Sequence, residues 1–223
     1  GRIILNQTRT QPDTQQYRQA MITHLAKNGL PLSEAHQQWL NRFKLAVTLD
    51  PDFPWPDFAN ALVDDPKAWL TTHLSTWLEV FLSPDQGLKQ LPIQQGLDSL
   101  LDWSQQQHMQ QLVPNSWPLL GRERPLHYAD NGQVILAAKL QEFFGTLDSP
   151  RVCNGRKPIT LHLLSPAKRP LQITEDLAHF WQNGYEAVKK EMKGRYPKHP
   201  WPDDPMTAQA TAKTKNAAAR EKK

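Results

Sequence analysis

Nineteen prolines are spread through 223 residues, and each one fixes φ, removes a backbone donor and interrupts a helix interior or a central strand. A chain punctuated in this way reads as a succession of short segments, which excludes a long rod or coiled coil. The longest continuous apolar run, Val134 to Ala138, has five residues, against the roughly 20 that a membrane-spanning helix needs. No membrane insertion is expected. Cys153 is the single cysteine, so neither an intrachain disulfide nor a Cys-rich zinc site is available, and a reducing, cytoplasmic setting is the expectation. The opening Gly1-Arg2-Ile3-Ile4-Leu5-Asn6 has no initiator Met and no secretion signal, and reads as the continuation of something longer.

The formal charge of +4 conceals a strong polarity. Residues 1 to 150 carry 11 Lys/Arg and 15 Asp/Glu, whereas residues 151 to 223 carry 15 and 7. Charge asymmetry between halves points to an anionic partner, nucleic acid or an acidic protein surface, with a solvated basic face as the alternative.

Apolar spacing divides the chain into three regions. Residues 1–113 read as short helices: Asp13 to Asn28, with Tyr17, Met21 and Leu25 on one stripe and Gly29 as the stop; Ser33 to Thr48, with Ala35, Trp39, Phe43 and Val47; a short helix at Asp57 to Val63; one helix from Pro66 to Leu82; and further pieces at Pro92 to Leu101 and Ser104 to Leu112. Residues 114–205 read as a small mixed α/β region. Strands are expected at Trp117 to Leu120, Pro125 to Tyr128 and Pro158 to Leu164, a helix at Val134 to Phe144, and a long helix from Thr174 to near Gly194. The predicted class is α+β. Residues 206–223 hold six Ala, five cations and no aromatic residue, too little apolar surface to offset ordering entropy, so a disordered basic tail is expected.

Several patterns imitate active sites. None of the ten glycines opens a phosphate-cradling loop. Ser33-Glu34-Ala35-His36 resembles a helicase Asp-Glu-Ala-His box, yet Ser stands where the metal-linked Asp is needed and suits a helix N-cap. The eight histidines show no metal-ligand spacing, and Asp64-Asp65 and Asp203-Asp204 each precede Pro, which favours helix starts or loop ends. A hydrolase built on Cys153 or Ser165 with a spatially close His is the third function class to be tested.

The informative stretch interleaves Lys189, Lys190, Lys193, Arg195 and Lys198 with Tyr196, His199 and Trp201. Cations attract phosphates and aromatic faces stack on bases, so these eight residues are the candidate nucleic-acid contacts. The rival reading is a helix C-terminus whose cations complement the dipole, or a basic face that docks an acidic partner in a protein-interaction module.

Leu140-Gln141-Glu142-Phe143-Phe144-Gly145, Leu163 through Leu177 (LLSPAKRPLQITEDL), Phe180-Trp181, and Glu191 through Pro205 (EMKGRYPKHPWPDDP) resemble the carboxy-terminal end of the bacterial HrpB-type DExH-box ATP-dependent RNA helicases. The resemblance is specific over 134–205 and looser over 1–133. It implies an accessory segment attached to RecA-like motor domains N-terminal to Gly1, with RNA and those core domains as partners. ATP and Mg are implied for the full-length family member, and no cofactor or catalytic residue for this segment, which is expected to be inactive alone.

Overall fold

The computed structural model describes residues 13–214. Chain contacts divide it into two units that meet between Gln107 and His108, inside a helix and a few residues before the composition changes at Pro114.

The first unit is helical: α1 (Thr14–Asn28), α2 (Glu34–Leu49), α3 (Ala59–Asp64), α4 (Pro66–Thr72), α5 (Leu74–Trp77), α6 (Ile93–Ser99) and the start of α7 (Trp103–Leu112), with 3-10 turns at Glu79–Phe81 and Leu88–Gln90. Local chemistry sets the first helix. Asp13 caps α1 by accepting from the Gln16 N–H at 2.8 Å, and Gly29 ends it at φ +86°, a conformation that glycine adopts without steric cost. Leu25, Leu70, Leu74, Trp77, Leu78 and Leu82 fill the core at 1% exposure or less.

The single helix expected over Pro66 to Leu82 is broken at His73, whose φ of −106° and ψ of 23° leave the helical region. Aromatic packing accounts for the break. The His73 ring stacks on Trp69 with centroids 4.5 Å apart, and the Trp77 indole N–H folds back to donate to the Leu70 carbonyl at 3.0 Å. A side chain at Gly96 would place its Cβ 2.6 Å from the Trp77 ring, so α6 reaches Trp77 only through a glycine.

The second unit is α+β. Strands β1 (Ser116–Leu119), β2 (Arg122–Tyr128), β3 (Val134–Lys139), β4 (Arg151–Val152), β5 (Lys157–Leu164) and β6 (Pro170–Thr174) are followed by α8 (Leu177–Asn183) and α9 (Tyr185–Arg195). The sheet order is β1-β2-β3-β5-β4, with β6 also paired to β5. β3 and β5 are parallel and the other pairs antiparallel. In the parallel pair Val134 lies beside Ile159, Leu136 beside Leu161 and Ala138 beside Leu163, so six apolar side chains share one buried face.

The helix expected over Val134 to Phe144 is therefore a central strand followed by a 3-10 turn, Leu140–Phe143. Leu, Ala and Lys favour helix, but pairing on both edges and a two-residue burial alternation override that preference. The long helix expected from Thr174 also divides. Thr174 pairs with Leu161 as the end of β6, Asp176 caps α8 by accepting from the His179 N–H at 2.8 Å, and Gly184 separates α8 from α9. A Cβ on Gly184 would lie 2.8 Å from the Phe180 ring.

The expected disordered tail is overtaken at its beginning. Residues 206–214 run along the 3-10 turn after β3: Gly145 N–H donates to the Pro205 carbonyl and Thr211 N–H to the Gln141 carbonyl, each at 2.9 Å. Two backbone hydrogen bonds and a buried Pro205 hold this strap without aromatic side chains. The remainder of the expected tail, 215–223, lies outside the described residues.

Candidate nucleic-acid interface

Helix α9 and the proline-rich segment behind it position the eight candidate residues, and burial sorts them into two groups. Tyr185, Val188, Lys189 and Met192 recur at three- and four-residue intervals and face the core side of α9. Lys189 is 8% exposed. Its ammonium lies 2.7 Å from Glu186 and 3.1 Å from Asp203, and above the Tyr185 ring at 5.9 Å. The hydrogen bond to Glu186 raises its pKa, with Asp203 adding to the effect against burial. Lys189 is thus a cation already matched by two carboxylates, and it ties α9 to the segment after it.

Trp201 belongs with Lys189. It is 5% exposed, and its indole N–H donates to the Tyr196 carbonyl at 3.0 Å. A ring buried to this degree offers little surface on which a base could stack. Beside it, the Tyr185 hydroxyl donates to the Pro202 carbonyl at 2.9 Å, and burial pushes that phenol well above its ordinary pKa. Tyr185, Lys189 and Trp201 together fold Tyr196 to Asp203 back onto α9.

Lys190, Lys193, Arg195 and Lys198 stand on the outside of this anchor and are all exposed. Lys190 and Lys193 are neighbours on the helix surface at i, i+3. Arg195 meets Glu191 at 3.4 Å, with both side chains more than 60% exposed, an exposed pair that contributes ~0–1 kcal/mol and yields readily to a competing anion. Tyr196 and His199 are half-buried and meet edge to face at 6.4 Å. The His199 pKa is lowered, first by burial and then by the charge of Lys139 at the end of β3. Lys139 is thus a cation close to this segment that sequence proximity did not reveal, since 60 positions separate the two.

The imitation sites have structural roles. Ser33 Oγ accepts from the His36 N–H at 3.4 Å while His36 Nδ1 accepts from the Ser33 N–H at 3.0 Å, a reciprocal cap on α2. Asp65 caps α4 by accepting from the Ala68 N–H at 3.0 Å, and Asp204 accepts from Met206 N–H and the Thr207 hydroxyl. Ser165 is 2% exposed and its Oγ accepts from the Arg169 N–H. Among the described residues no group of three His, Cys, Asp or Glu is placed to hold a metal, and no helix is long and apolar enough to cross a membrane.

Comparison with known proteins follows the same segments. The family model described as "HrpB_C: ATP-dependent helicase C-terminal" matches residues 69–205. The chain belongs to the HrpB C-terminal family. Its match includes the anchored α9 segment and both strands of the parallel pair. The ATP-dependent RNA helicase HrpB of Escherichia coli (strain K12) is 40% identical over 212 residues, covering 92% of this chain and 25% of that protein. A crystal structure of the E. coli DExH-box NTPase HrpB superposes with a TM-score of 0.76 at 37% identity, covering 93% of this chain and 26% of that one. A second, of the E. coli DEAH/RHA helicase HrpB, gives 0.66 at 35% identity over 87% and 25%. The chain spans about a quarter of the length of these HrpB relatives.

Proposed function

We propose that this chain is an RNA-contacting accessory segment of an ATP-dependent RNA helicase, and that Lys190, Lys193, Arg195 and Lys198 supply the contact. One observation carries the reading. Within a single 13-residue stretch the Lys189 and Trp201 side chains are buried and partnered, while these four cations are exposed on the same backbone. The anchor holds the cations in fixed relative positions, which lowers the entropic cost of binding a phosphate backbone. Half-buried Tyr196 and His199 stand beside them and offer ring edges to a base or sugar.

In this reading Lys189 and Trp201 act indirectly, by holding the ridge. ATP binding and hydrolysis belong to motor domains elsewhere in the helicase, and the segment contributes affinity for the nucleic acid on which the motor acts. The test is a titration of a labelled single-stranded RNA with the 223-residue chain at several salt concentrations. Binding is expected to weaken linearly in log K against log salt, by about 0.7 per phosphate contact. Absence of binding at low salt would contradict the reading and favour an interaction module for an acidic protein.

A further inference from the structure

The β-sheet of the second unit is unevenly charged along its strands, and one of its ends carries cations that α9 does not supply. β3 and β5 run parallel and finish together, Lys139 beside Leu164. The turn from Ser165 to Arg169 follows at once. β2 runs antiparallel to β3, so its beginning lies at the same end, where the Arg124 guanidinium pairs with Glu142 through Nε at 3.1 Å and through Nη2.

The charges at this end can be named from every element that reaches it. Arg124 and Glu142 cancel, Arg122 is followed by Glu123, which accepts from the Ser116 hydroxyl, and the strap along the turn after β3 brings one charge of each sign, Asp204 and Lys213. Lys139, Lys168 and Arg169 remain, and none of the three forms an ion pair among the described residues. At the opposite end, where β2 and β6 finish and β5 begins, Asp130, Glu175 and Asp176 fall with Arg151, Arg156 and Lys157, three charges of each sign. Cationic excess is thus confined to the end where β3 and β5 finish.

The turn that carries two of these cations is built to hold one shape. Ser165 N–H donates to the Arg169 carbonyl at 2.8 Å, Lys168 N–H donates to the Ser165 carbonyl at 2.8 Å, and Arg169 N–H donates to Ser165 Oγ at 3.0 Å. Lys168 nevertheless sits at φ +61°, in the left-handed region where a lysine is strained and a glycine is not. Local stability would favour glycine. A lysine kept in that conformation, at an exposed position, is the kind of outlier that points from strain to function.

The rim also adjoins the α9 ridge. The segment that carries Lys198 and His199 runs on to Pro205, whose carbonyl accepts from the Gly145 N–H at 2.9 Å, and Thr211 N–H donates to the Gln141 carbonyl at 2.9 Å, so the chain behind α9 reaches the turn that follows Lys139 at the end of β3. We propose that Lys139, Lys168 and Arg169 form a second phosphate-contacting surface, which extends the α9 ridge into a track for the backbone of a single RNA strand. This deepens the RNA-binding reading and rests on it. A phosphate backbone is favoured because Lys139, at the end of β3, and Lys168 and Arg169, in the turn after β5, carry charge of one sign and form no ion pair among the described residues.

The experiment measures binding of a fluorescein-labelled 20-nucleotide oligouridylate to the 223-residue chain between low and physiological salt, in three forms: unaltered, Lys139→Gln/Lys168→Gln/Arg169→Gln, and Lys168→Gly alone. The triple variant is expected to flatten the slope of log K against log salt by up to ~2 units, at ~0.7 per contact on single-stranded nucleic acid, with an unchanged circular dichroism spectrum. Lys168→Gly is expected to melt at the same or a higher temperature and yet bind more weakly, a combination that a purely structural turn residue would not produce. An unaltered slope in the triple variant, while a Lys190→Gln/Lys193→Gln/Arg195→Gln/Lys198→Gln chain measured alongside loses affinity, would overturn this proposal and leave the RNA-binding reading standing. No binding by the unaltered chain would overturn both. Equal binding of a labelled poly-glutamate peptide, lost in the same variants, would assign the rim to an acidic protein partner and overturn the RNA track.

Discussion

The Lys189 ammonium lies 3.1 Å from a carboxylate oxygen of Asp203, joining the middle of α9 to a residue 14 positions later. The pair closes a loop that contains Arg195, Lys198 and Trp201, so the outward cations sit on a folded-back segment. Lys189→Gln is accordingly expected to lower the melting temperature of the second unit and to change the salt slope of RNA binding little. Lys190→Gln, one residue later and exposed, is expected to do the reverse. Paired melting and salt titrations check both, and a Lys189 variant that melted normally but lost one contact of slope would place its charge on the RNA.

Trp201→Ala is expected to destabilise the second unit by roughly 3–5 kcal/mol, the range for truncating a buried large aromatic side chain, because the ring is 5% exposed and its N–H is bonded to Tyr196. Denaturant unfolding measures this. Wild-type stability together with weakened RNA binding would make Trp201 a stacking residue.

The cap on α2 gives a pH dependence with a defined sign. His36 Nδ1 accepts the Ser33 N–H, which requires a neutral ring, and burial lowers the His36 pKa. In the unfolded chain the ring titrates near ~6.5. The unfolded state therefore binds more protons between that value and the lower folded one, and stability falls as pH drops through this window. His199 is shifted in the same direction and adds to the fall. His36→Gln keeps an uncharged acceptor at the third helical position, as capping boxes do, and is expected to remove its share of the slope at pH 5–7. Ser33→Ala is expected to cost ~1 kcal/mol at neutral pH. Unchanged pH dependence in His36→Gln would show that the cap does not titrate.

The strap is testable through Gly145. At φ +75° an alanine there is strained, and its Cβ would also lie 2.9 Å from the Ala208 carbonyl oxygen. Gly145→Ala is expected to cost more in the full chain than in a chain ending at Pro205, where only the backbone term of ~1–2 kcal/mol remains. Equal costs in the two backgrounds would mean that residues 206–214 do not press on this turn.

What could be read in the sequence was set by local chemistry. Asp13, Gly29 and Ser33 mark helix ends through their own side chains or lack of one: α1 runs between the first two and α2 begins at the third. The alternation of Ile159, Leu161 and Leu163 likewise announces β5. Val134 to Lys139 was illegible because its strand conformation depends on β5, some 25 residues away. The same holds for the site. Lys189 and Lys190 are adjacent and chemically identical, and only the position of Asp203 makes one structural and leaves the other exposed. Trp201 reads as a stacking residue until Tyr196 is seen to hold its N–H.

The central claim is that four exposed cations, held by a buried anchor, contact RNA phosphates. Its most direct test is the slope of log K against log salt for a single-stranded RNA, with the Lys190→Gln/Lys193→Gln/Arg195→Gln/Lys198→Gln chain compared with the unaltered one at equal thermal stability. A slope flatter by up to ~3 units, with affinity reduced for every RNA sequence alike, is the predicted result. An unchanged slope and affinity would contradict the account and make the ridge a solvated helix end.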